Sequence, residues 1–176
     1  MPEVRAVLPT DAGMWLLWQT EAFSDVHDYD TWSSELEDDS DIARHIEQGD
    51  CVPINIGQDM AAAFVVRVPD PGAISELTER EAAYLVVSSQ PYLFVSRGTA
   101  ALTGIEGVMG GLPEVGIALA PGRWAVTVHL IAWDEEPGAM VDGRPGPNAL
   151  PDFILLVNLA DDPQTFRREV TTFPNP

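Results

Sequence analysis

Apolar and polar residues alternate in short runs along this chain, and the clearest run is residues 123–133. Trp124, Val126, Val128, Leu130 and Ala132 fall on one face of an extended segment, and that face is wholly apolar. Ala125, Thr127, His129, Ile131 and Trp133 fall on the other, which is mixed. Comparable runs occupy residues 4–8, 14–19, 52–56, 61–68, 83–89, 92–97, 115–120 and 153–159. Most are bounded by Gly, Pro, Asp or Asn, as strand ends usually are. Fifteen prolines and fourteen glycines break the chain too often for long helices. The apolar face of 123–133 is expected to pack against 153–159 or 61–68.

Two segments carry helix signals. Residues 41–48 follow a capping Ser40, place Ile42 and Ile46 on one side, and stop at Gly49. Thr78 and Glu81 form a capping box that predicts a turn or two of helix before the chain becomes strand near Tyr84. Pro121-Gly122 reads as the turn of a hairpin. The Gly-rich stretch 104–122, in spite of the run at 115–120 inside it, and the Pro-Gly stretch 137–147 read as long loops. With no internal repeat and no linker, the pattern predicts a single domain over 1–176. Its class is all-β with minor α: an antiparallel β-sandwich or open barrel carrying one or two short helices.

Charge changes the picture most. Nine arginines and no lysine stand against 28 acids, a formal net charge of −19. Such a surface is repelled by phosphate backbones and anionic lipid, so neither nucleic acid nor membrane is an expected partner. It suits a basic protein, a cation or a salty environment. No stretch approaches the about 18 apolar residues of a spanning helix. The opening residues lack the basic start of a signal peptide, and a cytoplasmic protein is expected. One cysteine, Cys51, excludes an internal disulfide. It follows a helix end beside Asp50, where nothing activates a thiolate, and reads as a buried structural thiol.

The missing lysine removes any Walker A loop and any Schiff-base lysine. Residues 104–111 do not spell a dinucleotide fingerprint, 94–98 lack the first glycine of a nucleophile elbow, and there is no HExxH. No cofactor is expected. His129 reads as a partly exposed strand residue. Asp134 lies about 16 Å further along the same strand, so any carboxylate partner must come from elsewhere in the fold.

Residues 21–50 hold eleven of the 28 acids and one arginine. Asp25, His27, Asp28 and Asp30 are candidate ligands for a hard cation, and His45 could add a nitrogen. No glycine supplies the turn of an EF-hand, and the spacing matches no specific metal pattern. The alternative is a partner surface, with Tyr29 and Trp32 as aromatic anchors among Glu35, Glu37, Asp38, Asp39 and Asp41. The first expectation is therefore a non-enzymatic acidic binding protein, inhibitor- or immunity-like, that recognises a basic protein. A metal-dependent or carboxylate-based hydrolase using His27, His45 or His129 is the second. A small-ligand or sugar-binding module using an exposed Trp is the third, and acidity that only adapts the surface to salt is the fourth.

Overall fold

The computed structural model describes residues 3–110, 114–161 and 165–176. The chain is mostly β, at 43% strand and 18% helix, and its eight-stranded sheet does not close into a barrel. In order, the elements are β1 (Glu3–Thr10), β2 (Met14–Trp18), α1 (Tyr29–Leu36), α2 (Asp39–Gln48), β3 (Cys51–Asn55), β4 (Met60–Arg67), α3 (Glu79–Ala83), β5 (Leu85–Ser88), β6 (Tyr92–Gly104), β7 (Val115–Ile131), β8 (Met140–Val141), β9 (Arg144–Pro145) and β10 (Phe153–Leu159). The main sheet runs β1-β4-β10-β7-β6-β2-β3, and β5 extends the β6 side of β7. Its pairs are antiparallel except β10 with β4.

A three-residue turn joins β1 to β2, yet β1 is one edge of the sheet and β2 lies near the other. The sheet must therefore curl until β1 approaches β2, without closing. Trp15 marks the approach, donating its indole N–H to the Leu8 carbonyl at 3.0 Å. The core fills the enclosed space, with Phe64 edge-on to Trp15 at 5.2 Å and stacked on Phe153 at 5.4 Å. Trp124, Val126, Val128 and Leu130 all point into it, beside β10 and together with residues of β4, as the alternation predicted.

Pro121-Gly122 is not a turn. It lies inside β7, where Ser96 pairs with Gly122 and Gly98 with Leu119. Two residues of β7, Ala120 and Pro121, thus oppose the single Arg97, which makes this a β-bulge. A bulge tolerates a proline because the extra residue makes no ladder bond. Gly98 and Gly122 take φ of +130° and +149°, conformations that side chains resist. The loosened carbonyls are recaptured locally. Ser96 Oγ donates to Leu119 O at 2.7 Å and Trp124 Nε1 to Ala120 O at 3.0 Å. The real reversal comes earlier, because most of 104–122 is not loop: β6 runs to Gly104, a 3-10 turn follows at Ile105–Met109, and β7 begins at Val115. Within 137–147 the small hairpin of β8 and β9 turns at Asp142-Gly143, both at positive φ.

Helix α1 was not expected, and α2 starts at Asp39 rather than after Ser40. Gly49 ends α2 at φ +81°, as its position predicted. The turn after Thr78 also forms, capped reciprocally by Thr78 and Glu81.

Val128 is fully buried between β10 and the core. A V128D variant would bury an unpaired carboxylate and lose several kcal/mol, a large share of an ordinary domain's stability. Urea unfolding should place its midpoint far below that of the parent chain. A superimposable curve would mean that this face is not core.

Candidate functional site: the acidic helices

Helix α1 exists because its first turn is well capped. Asp28, in extended conformation, accepts the Thr31 N–H at 2.9 Å and the Thr31 hydroxyl at 2.7 Å. The hydroxyl in turn accepts the Asp28 N–H. These bonds hold the Asp28 carboxyl below the ordinary carboxylate range. Leu36 is buried and Trp32 half-buried against the main core. Trp32 also donates its indole N–H to the Ile105 carbonyl at 2.9 Å, which ties α1 to the end of the β6–β7 hairpin. Helix α2 buries Ile42 and Ile46.

A hydrogen-bonded lock joins the two helices. His45 is buried, with Nε2 2.9 Å from Glu35 Oε2 on α1 and Nδ1 2.9 Å from Asp50 Oδ2 just beyond α2. Each ring nitrogen thus faces a carboxylate oxygen. Arg44 donates to the same Glu35 oxygen at 2.9 Å. Bonds from Arg44 and then His45 hold the Glu35 carboxyl low. Phe23 lies 4.5 Å from the imidazole and closes it off from below.

The predicted partner residues divide by role. Tyr29 is 60% exposed and stacks on Trp32 at 5.9 Å. Trp32 is the support under it, since its own N–H is engaged. Glu35 belongs to the lock. Asp41 is 3.6 Å from Arg44, and Glu37 accepts the Ser33 hydroxyl. Asp38 and Asp39 are exposed at the start of α2, and Asp38 makes no side-chain cap bond. Tyr29 opens α1 and Asp38 lies beyond its other end, with about 11 Å of helix axis between Tyr29 and Leu36. The acids therefore extend away from the aromatic instead of ringing it.

The metal candidates are not assembled. Asp28 caps α1, and His27 Nδ1 faces the Asp25 main-chain carbonyl at 2.7 Å. Among the described residues no three His, Cys, Asp or Glu side chains converge as a cation would need. The three histidines have separate partners, and no pair shares one. Cys51 is fully buried, and burial followed by the neighbouring Asp50 charge pushes its thiol far up.

His129 corrects the reading of β7's second face. It is 8% exposed, not a partly solvated strand residue. Segment 75–84 and α3 cover this side of the sheet. Beneath them Val65, Ile131, Leu150, Ile154 and Leu156 form a second apolar cluster, joined by Leu77, Tyr84 and Trp133. Arg67 and Glu81 are buried together at 2.8 Å, and Arg67 also reaches Glu3 and the Glu76 carbonyl. His129 Nδ1 meets Ser88 Oγ at 2.7 Å, and its Nε2 is buried with no hydrogen-bond partner among the described residues. Burial lowers its pKa to about 4, against an opposing pull from the Glu81 charge.

The chain matches no protein-family model, and no curated protein matches it. Two solved structures are similar in shape. One is described as crocagin biosynthetic gene J, with a TM-score of 0.56 at 15% identity over 92% of this chain and 100% of that one. The other is ComJ from Bacillus subtilis, described as an inhibitor of the DNA-degrading activity of NucA. Its TM-score is 0.44 at 12% identity, over 86% of this chain and 92% of that one. The first likeness is one of fold. Among the described residues no helix is long and apolar enough to cross a membrane.

His129 generates a pH dependence with a definite sign. The unfolded chain protonates it near pH 6.5, the folded chain only near 4. Between those values the unfolded state binds more protons. Its contribution is complete above pH 6.5 and falls away as the pH drops toward 4, by on the order of 2–3 kcal/mol. In urea titrations from pH 7 to 4, the parent should lose that much more stability than H129L. Parallel pH profiles would mean that the ring is solvated.

Proposed function

We propose that this protein works by binding, and that its partner is a basic protein held by α1 and the first turn of α2. One observation carries the reading. The side chains of Asp25, Asp30, Asp38 and Asp39 are exposed and have no ion-pair partner among the described residues, and the exposed ring of Tyr29 stands in the same strip. The fold itself needs only part of this charge. Asp28 caps a helix and Glu35 closes the lock, whereas Asp38 caps nothing. Unneutralised carboxylates on a rigid pair of helices make a field that steers a cationic partner, and an aromatic ring supplies the desolvated contact that retains it. The same test separates this reading from a passive salt-adapted surface, because a passive surface has no anchor residue.

The test is capture of a partner from the source cells on immobilised protein, followed by kinetics of the purified pair at low and high salt. Raising the salt should slow association by about tenfold with little change in dissociation. D38N with D39N should also slow association, and Y29A should speed dissociation by roughly thirtyfold, a loss near 2 kcal/mol. A captured protein that binds a D25N/D30N/D38N/D39N chain at the parent rate would place the binding surface elsewhere.

A further inference from the structure

A cleft lies on the outer face of the β6–β7 region, away from the first turn of α2, and its chemistry is opposite to that of the acidic strip. It encloses about 660 Å³, within the range of small-molecule sites. Three of the chain's nine arginines line it: Arg123 from β7, and Arg167 and Arg168 from the C-terminal segment. Ile46, Leu93 and Phe166 supply apolar wall, and Gln90 and Thr165 add polar groups.

In a chain with 28 acids and nine bases most arginines have a carboxylate beside them, and outside this cleft Arg144 on β9 is the exception among the described residues. Arg5, Arg44, Arg67, Arg80 and Arg97 are each ion-paired. In this cleft Arg168 pairs with Glu47 at 3.0 Å, but Arg167 and Arg123 pair with no carboxylate among the described residues. Arg167 is fixed by two main-chain carbonyls, donating from Nε to Glu169 O at 3.0 Å and from Nη2 to Val170 O at 3.3 Å. The guanidinium also bonds the buried Tyr92 hydroxyl, and only the N–H groups left over are offered to the cleft. Arg123 has no side-chain partner among the described residues, yet its backbone is rigid. It follows the β-bulge directly and its carbonyl accepts the Ala160 N–H. Glu47 and Glu169 also line the cleft, so the local balance is three bases to two acids, against roughly one to three over the chain.

We infer that this cleft binds a small organic oxyanion, a carboxylate or a phosphate borne on an apolar body. Arg123 and Arg167 hold the charged head as forked donors, and Leu93, Ile46 and Phe166 receive the body. The carboxylate and phosphate forms share this recognition, and separate probes tell them apart.

The experiment is an amide NMR titration of the full chain with phenylacetate, phenyl phosphate and uncharged benzyl alcohol. At least one anionic probe should give saturable shifts at Gln90, Leu93, Thr165 and Arg168, with Kd of about a millimolar or below. Benzyl alcohol should give none, and whichever anion binds more tightly names the head group. R123Q removes a side chain that bonds no other side chain among the described residues, so its spectrum should otherwise match the parent, and it should weaken binding at least tenfold. No saturable shift in the cleft up to about 20 mM of either anion, or equal affinity in R123Q, would overturn the assignment.

Discussion

Strand β7 sets the terms for the rest of the molecule. Seventeen residues long, it pairs along one edge with β10 and along the other with β6 and then β5. A strand so placed has both faces inside the protein for much of its length, so each face needs its own cover. Aromatic and aliphatic residues of the curled sheet cover the first, and segment 75–84 with α3 covers the second. So long a hairpin also accumulates twist, and the bulge at Ala120-Pro121 accommodates it while increasing the local bend. Arg123 and the end of the hairpin that carries α1 are both positioned from that bulge outward.

The second face shows what such cover requires. Covering β4 would strand Arg67 in an apolar layer, so Glu81 is brought over it from α3. Glu81 does two jobs, since the same carboxylate closes the capping box by accepting the Thr78 N–H at 2.7 Å. Bonds from Arg67 and Thr78 outweigh the burial that opposes them, and its carboxyl stays low. Removing one member of a buried pair leaves the other charge uncompensated, at a cost of about 3–5 kcal/mol. The helix start, the ion pair and the cover over His129 therefore stand or fall together. His129 Nε2 is the polar group this arrangement leaves unsatisfied, and its low pKa keeps the ring neutral at physiological pH.

Much of the fold was legible because period-two alternation is a local signal. The runs at 4–8, 14–19, 52–56, 61–68, 92–97 and 153–159 all became strands, and the inner face of β7 was read residue by residue. The misreadings have non-local causes. Pro121-Gly122 has the composition of a turn, and only the pairing partner opposite, at Ser96 and Gly98, makes it a bulge. Helix α1 buries little beyond Trp32 and Leu36, and its capping box closes with Thr31 in place of Glu or Gln, so neither its stripe nor its cap stood out. His129 looked half-exposed because its cover comes from residues 75–84. The acidic strip was visible as composition, but the separation of Tyr29 as exposed ring from Trp32 as support depends on a carbonyl 73 positions away in sequence. The arginine cleft had no sequence signal at all, since β7 and the C-terminal segment meet only in the fold.

The two charged features are not independent, because α2 belongs to both. Its first turn carries Asp39 and Asp41, and its last turn delivers Ile46 and Glu47 to the cleft wall, about 12 Å away along the axis. A helix of this length moves as a rigid piece, and what fixes its position is the His45 lock between Glu35 and Asp50. Gly49 is equally committed. A Cβ there would come within 2.7 Å of Val95 Cγ2, and its carbonyl accepts the Val95 N–H at 2.8 Å, so the end of α2 is pinned to the edge of β6. A shift of α1 reaches α2 through the short link at 37–38 and through Glu35, which holds both Arg44 and His45. It must then either break that lock or carry α2 against β6. The His45 lock and the contact of Gly49 with β6 together set how far α2 can follow α1.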